Sequence, residues 1–84
     1  MKARIYSPSD IEDMRKVLVW IDYTANPPII RLVTHYKQGE GQAEVLGLGQ
    51  LPVIASLLDS LYNSKGWTFR PFLGCFGIVA ERKD

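Results

Sequence analysis

Two mostly apolar runs flank a proline-containing break, which predicts a long β-hairpin over about residues 16–37. Both arms are rich in β-branched and aromatic residues, the types that favour strands. The break covers residues 25–28, and neither of its two prolines can donate a backbone hydrogen bond or continue a helix. We therefore predict that the fold is built on this hairpin.

The position of the loop assigns the hairpin side chains to two faces. With residues 25–28 as the loop, Thr24 faces Ile29. The two-residue period of the strands then fixes all the remaining pairs. The first face is apolar and is expected to be core; its pairs are Val17 with Tyr36, Val19 with Thr34, Ile21 with Leu32, and Tyr23 with Ile30. On the second face the pairs are Leu18 with His35, Trp20 with Val33, and Asp22 with Arg31.

The second face mixes apolar and charged side chains, whereas a solvated sheet face is typically polar throughout. Either another part of the chain or a partner is expected to cover such a surface. Symmetric homodimerisation is the simplest way for a chain to cover it. The predicted partner-binding residues are Leu18, Trp20, Asp22, Arg31, Val33 and His35.

One amphipathic helix is predicted over about residues 51–64. Its apolar positions recur at helical spacing along one stripe, made of Val53, Ile54, Leu57, Leu58, Leu61 and Tyr62. Pro52 suits the first helical turn, and Gly66 suits the C-terminal stop. We expect the stripe to pack on the apolar face of the hairpin.

Four further strands are predicted, over residues 2–6, 43–48, 67–72 and 73–80. Pro71 lies in the third of these, so that strand is expected at a sheet edge or at a bend. Gly74 and Gly77 lie in the fourth, where they allow a bulge or the close approach of another backbone. Residues 81–84 are expected to be a charged tail.

A short helical turn is predicted near the start of the chain. Ser9 and Glu12 have the spacing of a capping box, which predicts a turn over residues 10–15. The fold class is therefore α+β, with residues 1–84 forming a single small domain. Its sheet is expected to be mostly antiparallel with four to six strands, and the helix is expected to pack on one face.

Composition indicates a folded domain without a general attraction to charged partners. Hydrophobic residues make up 46% of the 84 positions, and the net charge is +1. The single cysteine, Cys75, cannot form an internal disulfide, which is typical of a reducing compartment and predicts a cytoplasmic protein. No signal pattern is evident, and no apolar run approaches the roughly 18–20 residues of a membrane span.

Residues that could carry chemistry are sparse. Cys75 and His35, the only histidine, are the one available nucleophile–base pair, and nothing in the sequence around the thiol indicates activation. The usual four zinc ligands are not provided. The glycines before the helix lack the remaining residues of a phosphate-binding motif. We predict no catalytic residue, no metal and no cofactor.

Two classes of function remain. The first is a non-enzymatic cytosolic regulator, inhibitor or adaptor, of the kind that phages and mobile elements carry. It acts by protein–protein interaction with another protein or with a second copy of itself. The alternative is a binding module for nucleic acid or a small anionic ligand, in which Trp67 and Phe69 stack and Arg70 neutralises the anion. Neither class involves a membrane.

Overall fold

A computed structural model describes residues 6–39, 41–74 and 76–83 as an α+β fold. The elements are α1 (Pro8–Asp13), β1 (Met14–Asp22), β2 (Ile29–Tyr36), β3 (Gln42–Gly47), α2 (Leu51–Asn63), β4 (Trp67–Phe72) and β5 (Gly77–Arg82). A 3-10 turn, Leu48–Gln50, leads directly into α2. The predicted fold class is confirmed, with five antiparallel strands and α2 on one face of their sheet.

The predicted hairpin forms the middle of the sheet. The strand order is β3-β2-β1-β5-β4, and every neighbouring pair is antiparallel. β4 lies at an edge of the sheet. Pro71 in this strand predicted an edge or a bend, because a proline has no backbone N–H to donate to a neighbouring strand. The other edge is β3. Since α2 joins the two edge strands, it crosses the sheet.

The hairpin register differs by two residues from the predicted register. Asp22 pairs with Ile29, so the connection covers residues 23–28. The carboxylate of Asp22 accepts a hydrogen bond from the backbone N–H of Thr24 at 2.9 Å, and this local turn ends β1. A shift of two keeps every strand residue on its predicted face. Tyr23, however, lies outside the sheet and is exposed, so its predicted core pair with Ile30 is wrong.

The core lies between α2 and the first face of the hairpin. It contains Ile11, Met14, Val17, Val19, Ile30, Leu32, Ile54, Leu57, Leu61 and Ala80. Three of these come from the predicted helix stripe, and each such burial contributes about 1.5–3 kcal/mol. Tyr62 was expected in the same stripe but is 74% exposed, because it lies on the flank of α2 rather than beneath it.

The capping box of α1 starts two residues earlier than predicted. Ser7, not Ser9, is the N-cap: its hydroxyl accepts from the backbone N–H of Asp10 at 3.2 Å. The Asp10 carboxylate accepts from the backbone N–H of Ser7 at 2.9 Å in return. Pro8 then occupies the first turn, where its missing N–H costs nothing.

The predicted strands nearest the two ends of the sequence have outcomes of different kinds. The strand expected over residues 2–6 lies outside the described residues except for Tyr6, which is not in a strand. The strand expected over 73–80 begins only at Gly77, because Leu73 and Gly74 have positive φ angles of 52° and 58° and form a turn. β5 then continues through Glu81 and Arg82, which were expected in the tail.

Candidate functional site

The sheet face opposite α2 carries side chains from all five strands, and we call it the open face. In the described part of the chain no helix lies on it, since both α1 and α2 contribute to the core on the other side. Its side chains are Lys16, Leu18, Trp20, Asp22, Ile29, Arg31, Val33, His35, Ala43, Val45, Thr68, Arg70, Phe72, Gly77, Val79 and Glu81. All six predicted partner-binding residues are among them.

Two rows of residues cross the centre of the open face. The first row is Val45, Arg31, Trp20, Gly77 and Phe72, in strand order. The second row is Ala43, Val33, Leu18, Val79 and Arg70. Four of the predicted residues therefore meet at the centre. His35 lies farther along β2, beside Lys16, and Asp22 lies at the opposite end of β1.

The Trp20 indole owes its position to Gly77. The two residues are directly paired, and Gly77 offers no side chain between β1 and β4. The indole therefore reaches the ring of Phe72, at 5.4 Å between centroids with an edge-to-face angle of 67°. This pair forms an aromatic ridge on the open face.

Val79 is buried on the open face although no other layer within residues 6–39, 41–74 and 76–83 covers it. Only 2% of its surface is exposed, while its neighbours Leu18 and Arg70 are more accessible. Leu18 and Val33 are half-buried, and Val45 is exposed. The centre of this face is therefore a close-packed apolar surface in contact with solvent, in contrast to the polar character of an ordinary solvated sheet face.

Asp22 fixes the orientation of Arg31. The Arg31 Nε donates to Asp22 Oδ2 at 2.8 Å, and the side chains are 42% and 14% exposed, respectively. The other carboxylate oxygen of Asp22 accepts from the backbone N–H and the hydroxyl of Thr24. These hydrogen bonds, that of the Thr24 hydroxyl first and that of Arg31 next, lower the pKa of Asp22 from 3.8 to about 2.

This lowered pKa predicts a stability that depends on pH in the acid range. A carboxyl group whose pKa is lower in the folded state stabilises the fold above its unfolded pKa, and the contribution is lost as pH falls toward the folded pKa. We expect wild type to be more stable than Asp22→Asn by a constant amount above about pH 5. The difference should shrink as the pH falls below about 5 and level off only below about pH 2, where Asp22 is protonated in both the folded and the unfolded state. Urea unfolding across this range measures it; a difference independent of pH would contradict the assignment.

The rim of the open face is polar. Arg70 Nη1 lies 3.2 Å from Glu81 Oε1, and both side chains are accessible enough for the pair to contribute little to stability. Lys16 pairs across the strands with both Glu81 and His35. His35 lies close to Gly41, where a Cβ atom would be 2.9 Å from the imidazole Nδ1.

The alternative ligand-binding residues do not share one surface. Arg70 is on the open face, whereas Trp67 and Phe69 lie on the helix side of β4. Trp67 packs against the core with the Arg82 guanidinium 5.1 Å from its ring centroid. Phe69 contacts Tyr62 of α2, with the ring centroids 6.0 Å apart. A single stacking platform that uses all three predicted residues is therefore not formed.

Other kinds of site find little support among the described residues. No group of three or more potential metal ligands occurs within residues 6–39, 41–74 and 76–83. None of the helices in the same ranges has the length and apolar character of a membrane span. Cys75 lies outside the described residues, so its relation to His35 stays untested.

Five members of the central rows were missed by reasoning from the sequence: Ala43, Val45, Phe72, Gly77 and Val79. Alternation within β4 and β5 places Phe72 on the same face as Arg70, and Gly77 on the same face as Val79. The sequence does not indicate which edge of the hairpin these strands join, so it could not place them beside Trp20 and Leu18. The pairing of β5 with β1 supplies this information.

Function has to be inferred from the fold and the open face. No family model matches the chain, and no curated protein or solved structure matches it.

Proposed function

We propose that this protein is a non-enzymatic regulator, inhibitor or adaptor that binds another protein through the open face. The observation that carries the proposal is an arginine held in place within an apolar, aromatic surface. Arg31 is directly paired with Trp20, and it is oriented by Asp22. Tryptophan and arginine are the residues most often found at the energetic centres of protein interfaces.

The composition of the open face from centre to rim supports this function. Trp20, Leu18 and Val33 lie near the middle, while charged or ionisable side chains such as Lys16 and Arg70 lie around them. Protein interfaces commonly have an apolar centre that loses its water on binding and a polar rim that stays hydrated. The open face has this arrangement before any partner is bound.

The side chain of Arg31 indicates the chemistry of the partner. Among the described residues, its Nε alone is engaged, by Asp22, which leaves the two terminal nitrogens for another acceptor. A guanidinium presents such nitrogens as a planar fork that matches a carboxylate. We therefore expect a partner surface with an apolar group against Trp20 and an aspartate or glutamate near Arg31.

The balance of charge on the open face agrees with an acidic partner. Both of its carboxylates, Asp22 and Glu81, are already paired with arginines. Lys16 adds a further positive charge among the described side chains, so the face as a whole is positive. Complementary charge of this kind contributes mainly to the association rate and to specificity.

The function is tested by affinity capture with immobilised protein, followed by mass spectrometry of what is retained. Proteins bound by wild type should be lost with Trp20→Ala and with Arg31→Glu, because hot-spot changes weaken binding by about 30-fold or more. Lys65→Glu is the matched control, since it reverses an exposed charge beyond the C-terminal end of α2. Circular dichroism of each variant reports whether the fold is retained.

Two results would count against this assignment. If both folded variants retain the same proteins as wild type, the open face is not the binding surface. If wild type instead binds single-stranded oligonucleotides with an affinity that falls steeply with salt, and Arg70→Ala weakens it, the nucleic-acid alternative is favoured.

A further inference from the structure

On the side of α2, part of the sheet is left uncovered by the residues that the structure describes. Phe69, Pro71 and Ile78 lie on this side of β4 and β5, and all three are exposed. The helix runs from the end of β3 to the start of β4, and this strip lies beside it. The described residues thus have an apolar surface distinct from the open face.

The flank of α2 forms the second wall of this surface. Leu51, Ala55, Leu58 and Tyr62 follow one another at helical spacing, next to the buried stripe of the same helix. Leu58 is half-buried and the other three are exposed. The helix flank and the sheet strip together make an apolar groove, which we call the helix-side groove.

A contact between two rings and a cleft mark the two ends of the helix-side groove. At one end the ring of Tyr62 leans on that of Phe69, with 6.0 Å between centroids. At the other end a cleft of about 210 Å³ opens between helix and sheet, and Leu51 and Ile78 are among the residues that line it. The groove therefore has a shape that can receive protruding apolar side chains.

Charge distinguishes the helix-side groove from the open face. None of its seven side chains, Leu51, Ala55, Leu58, Tyr62, Phe69, Pro71 and Ile78, is charged. An uncharged surface can meet its own copy across a two-fold axis without repulsion. On the open face Asp22 and Glu81 neutralise Arg31 and Arg70, which leaves Lys16 as its excess positive charge, and like charges placed together oppose association.

We propose that the helix-side groove is a homodimer interface, in which the flank of α2 packs against the groove of a second copy. An amphipathic helix laid in an apolar groove is a common mode of recognition, and here one surface supplies both the helix and the groove. A two-fold axis then satisfies both copies at once. The assignment differs from a dimer through the open face, which was the arrangement expected from the sequence.

The length of the groove matches the helix flank that it is expected to receive. The 13 residues of α2 extend about 20 Å along the helix axis, and the six residues of β4 extend about 20 Å along the strand. The flank of α2 from a second copy can therefore lie along the groove over most of its length.

Such a dimer leaves both open faces accessible. The protein would then present two copies of its partner-binding surface, and a partner with two sites would gain avidity from binding both. The dimer does not depend on the proposed function, since none of the seven groove side chains is among those of the open face, although the cleft at one end of the groove also reaches Trp20 and Gly77.

Sedimentation velocity and native mass spectrometry over a concentration series test the dimer. Wild type should be dimeric, and Tyr62→Glu should raise the dissociation constant by about 100-fold or more, because the two-fold axis places the change in the interface twice. Ala55→Glu should do the same without disturbing α2, since glutamate is a good helix former at an exposed position. Val45→Glu is the matched control on the open face and should leave the dimer intact.

Either of two outcomes overturns the proposal. The first is a wild-type protein that stays monomeric at the highest concentration that remains soluble. The second is a dimer that survives both groove variants in folded form. If that dimer is instead broken by Val45→Glu, the open face is the self-association surface. Affinity capture with the Tyr62→Glu variant separates partner binding from dimerisation. Partner binding requires only the open face, so this variant should still retain the partner.

Discussion

A single methyl group at position 77 is expected to lower the free energy of unfolding by about 3 kcal/mol. A Cβ atom at Gly77 would lie 2.5 Å from the Cβ of Trp20 and would also overlap the carbonyl oxygen of Val19. Backbone atoms cannot rotate away as a side chain can, so Gly77→Ala must separate β5 from β1. A domain of this size is stable by roughly 4–12 kcal/mol, so the loss is a large fraction of the total.

Gly47→Ala is the matched control for this prediction. No atom lies within 4 Å of a Cβ built at Gly47, and its φ angle is an ordinary one. Its effect should be close to zero or slightly stabilising, because alanine restricts the unfolded chain more than glycine does. Urea unfolding of both variants makes the comparison. Equal small effects would mean that β1 and β5 are not as close as the structure has them.

Arg82→Ala is expected to cost about 2–3 kcal/mol, because one guanidinium holds three backbone carbonyls. Its Nε donates to the carbonyl of Met14 at 3.0 Å, and one terminal nitrogen donates to those of Ile11 and Glu12 at 2.9 and 3.2 Å. These carbonyls lie where α1 ends, and most of the last carbonyls of a helix lack partners within it; that of Ile11 also accepts a hydrogen bond from the backbone N–H of Met14. The same guanidinium packs on the ring of Trp67.

Arg70→Ala is the control on the neighbouring strand. Arg70 is exposed and makes one ion pair with Glu81, so its loss should change the stability by less than about 0.5 kcal/mol. Arg82→Lys should lose most of the stabilisation that Arg82→Ala loses, because an ammonium cannot reach several carbonyls in fixed directions. Thermal and urea unfolding report the differences. If Arg82→Ala changes the stability only slightly, α1 is held mainly by Ile11 in the core.

The elements of this fold could be predicted where the local pattern is strong. The β-branched and aromatic residues on both sides of the prolines predicted both arms of the β1–β2 hairpin, and helical spacing predicted α2 to within one residue of its observed end. Pro71 predicted an edge strand or a bend, because the proline effect is local and does not depend on the rest of the chain, and β4 is at an edge. The face on which each hairpin residue lies was also predictable, since it follows from alternation alone.

The register was not predictable, because two turn signals compete within the same segment. The prolines place the loop at residues 25–28, but the carboxylate of Asp22 captures the N–H of Thr24 and ends the strand earlier. The Asp22–Arg31 ion pair forms in either register, diagonally in the structure and directly in the predicted one. It therefore could not discriminate between them.

Only the part of the candidate site that lies on β1 and β2 was predictable from the sequence. Its β1 and β2 residues follow from the hairpin, whereas Phe72 and Val79 join it only because β5 pairs with β1. That choice depends on the packing of the whole chain. The role of Arg82 was missed likewise, because a charged segment near the end of the sequence is more typical of a tail than of a strand.

The position of β1 in the strand order has a consequence for how the protein folds. β1 is the central strand, and its two partners lie at very different separations along the chain: residues 29–36 on one side and residues 77–81 on the other. Because short loops close at lower entropic cost, the meander of β1, β2 and β3 is expected to form early. Until β5 arrives, β1 is an unprotected edge carrying valines, the kind of strand that pairs with other chains. Newly made or partly unfolded molecules would therefore be most prone to aggregate through the strand that the native sheet buries most completely.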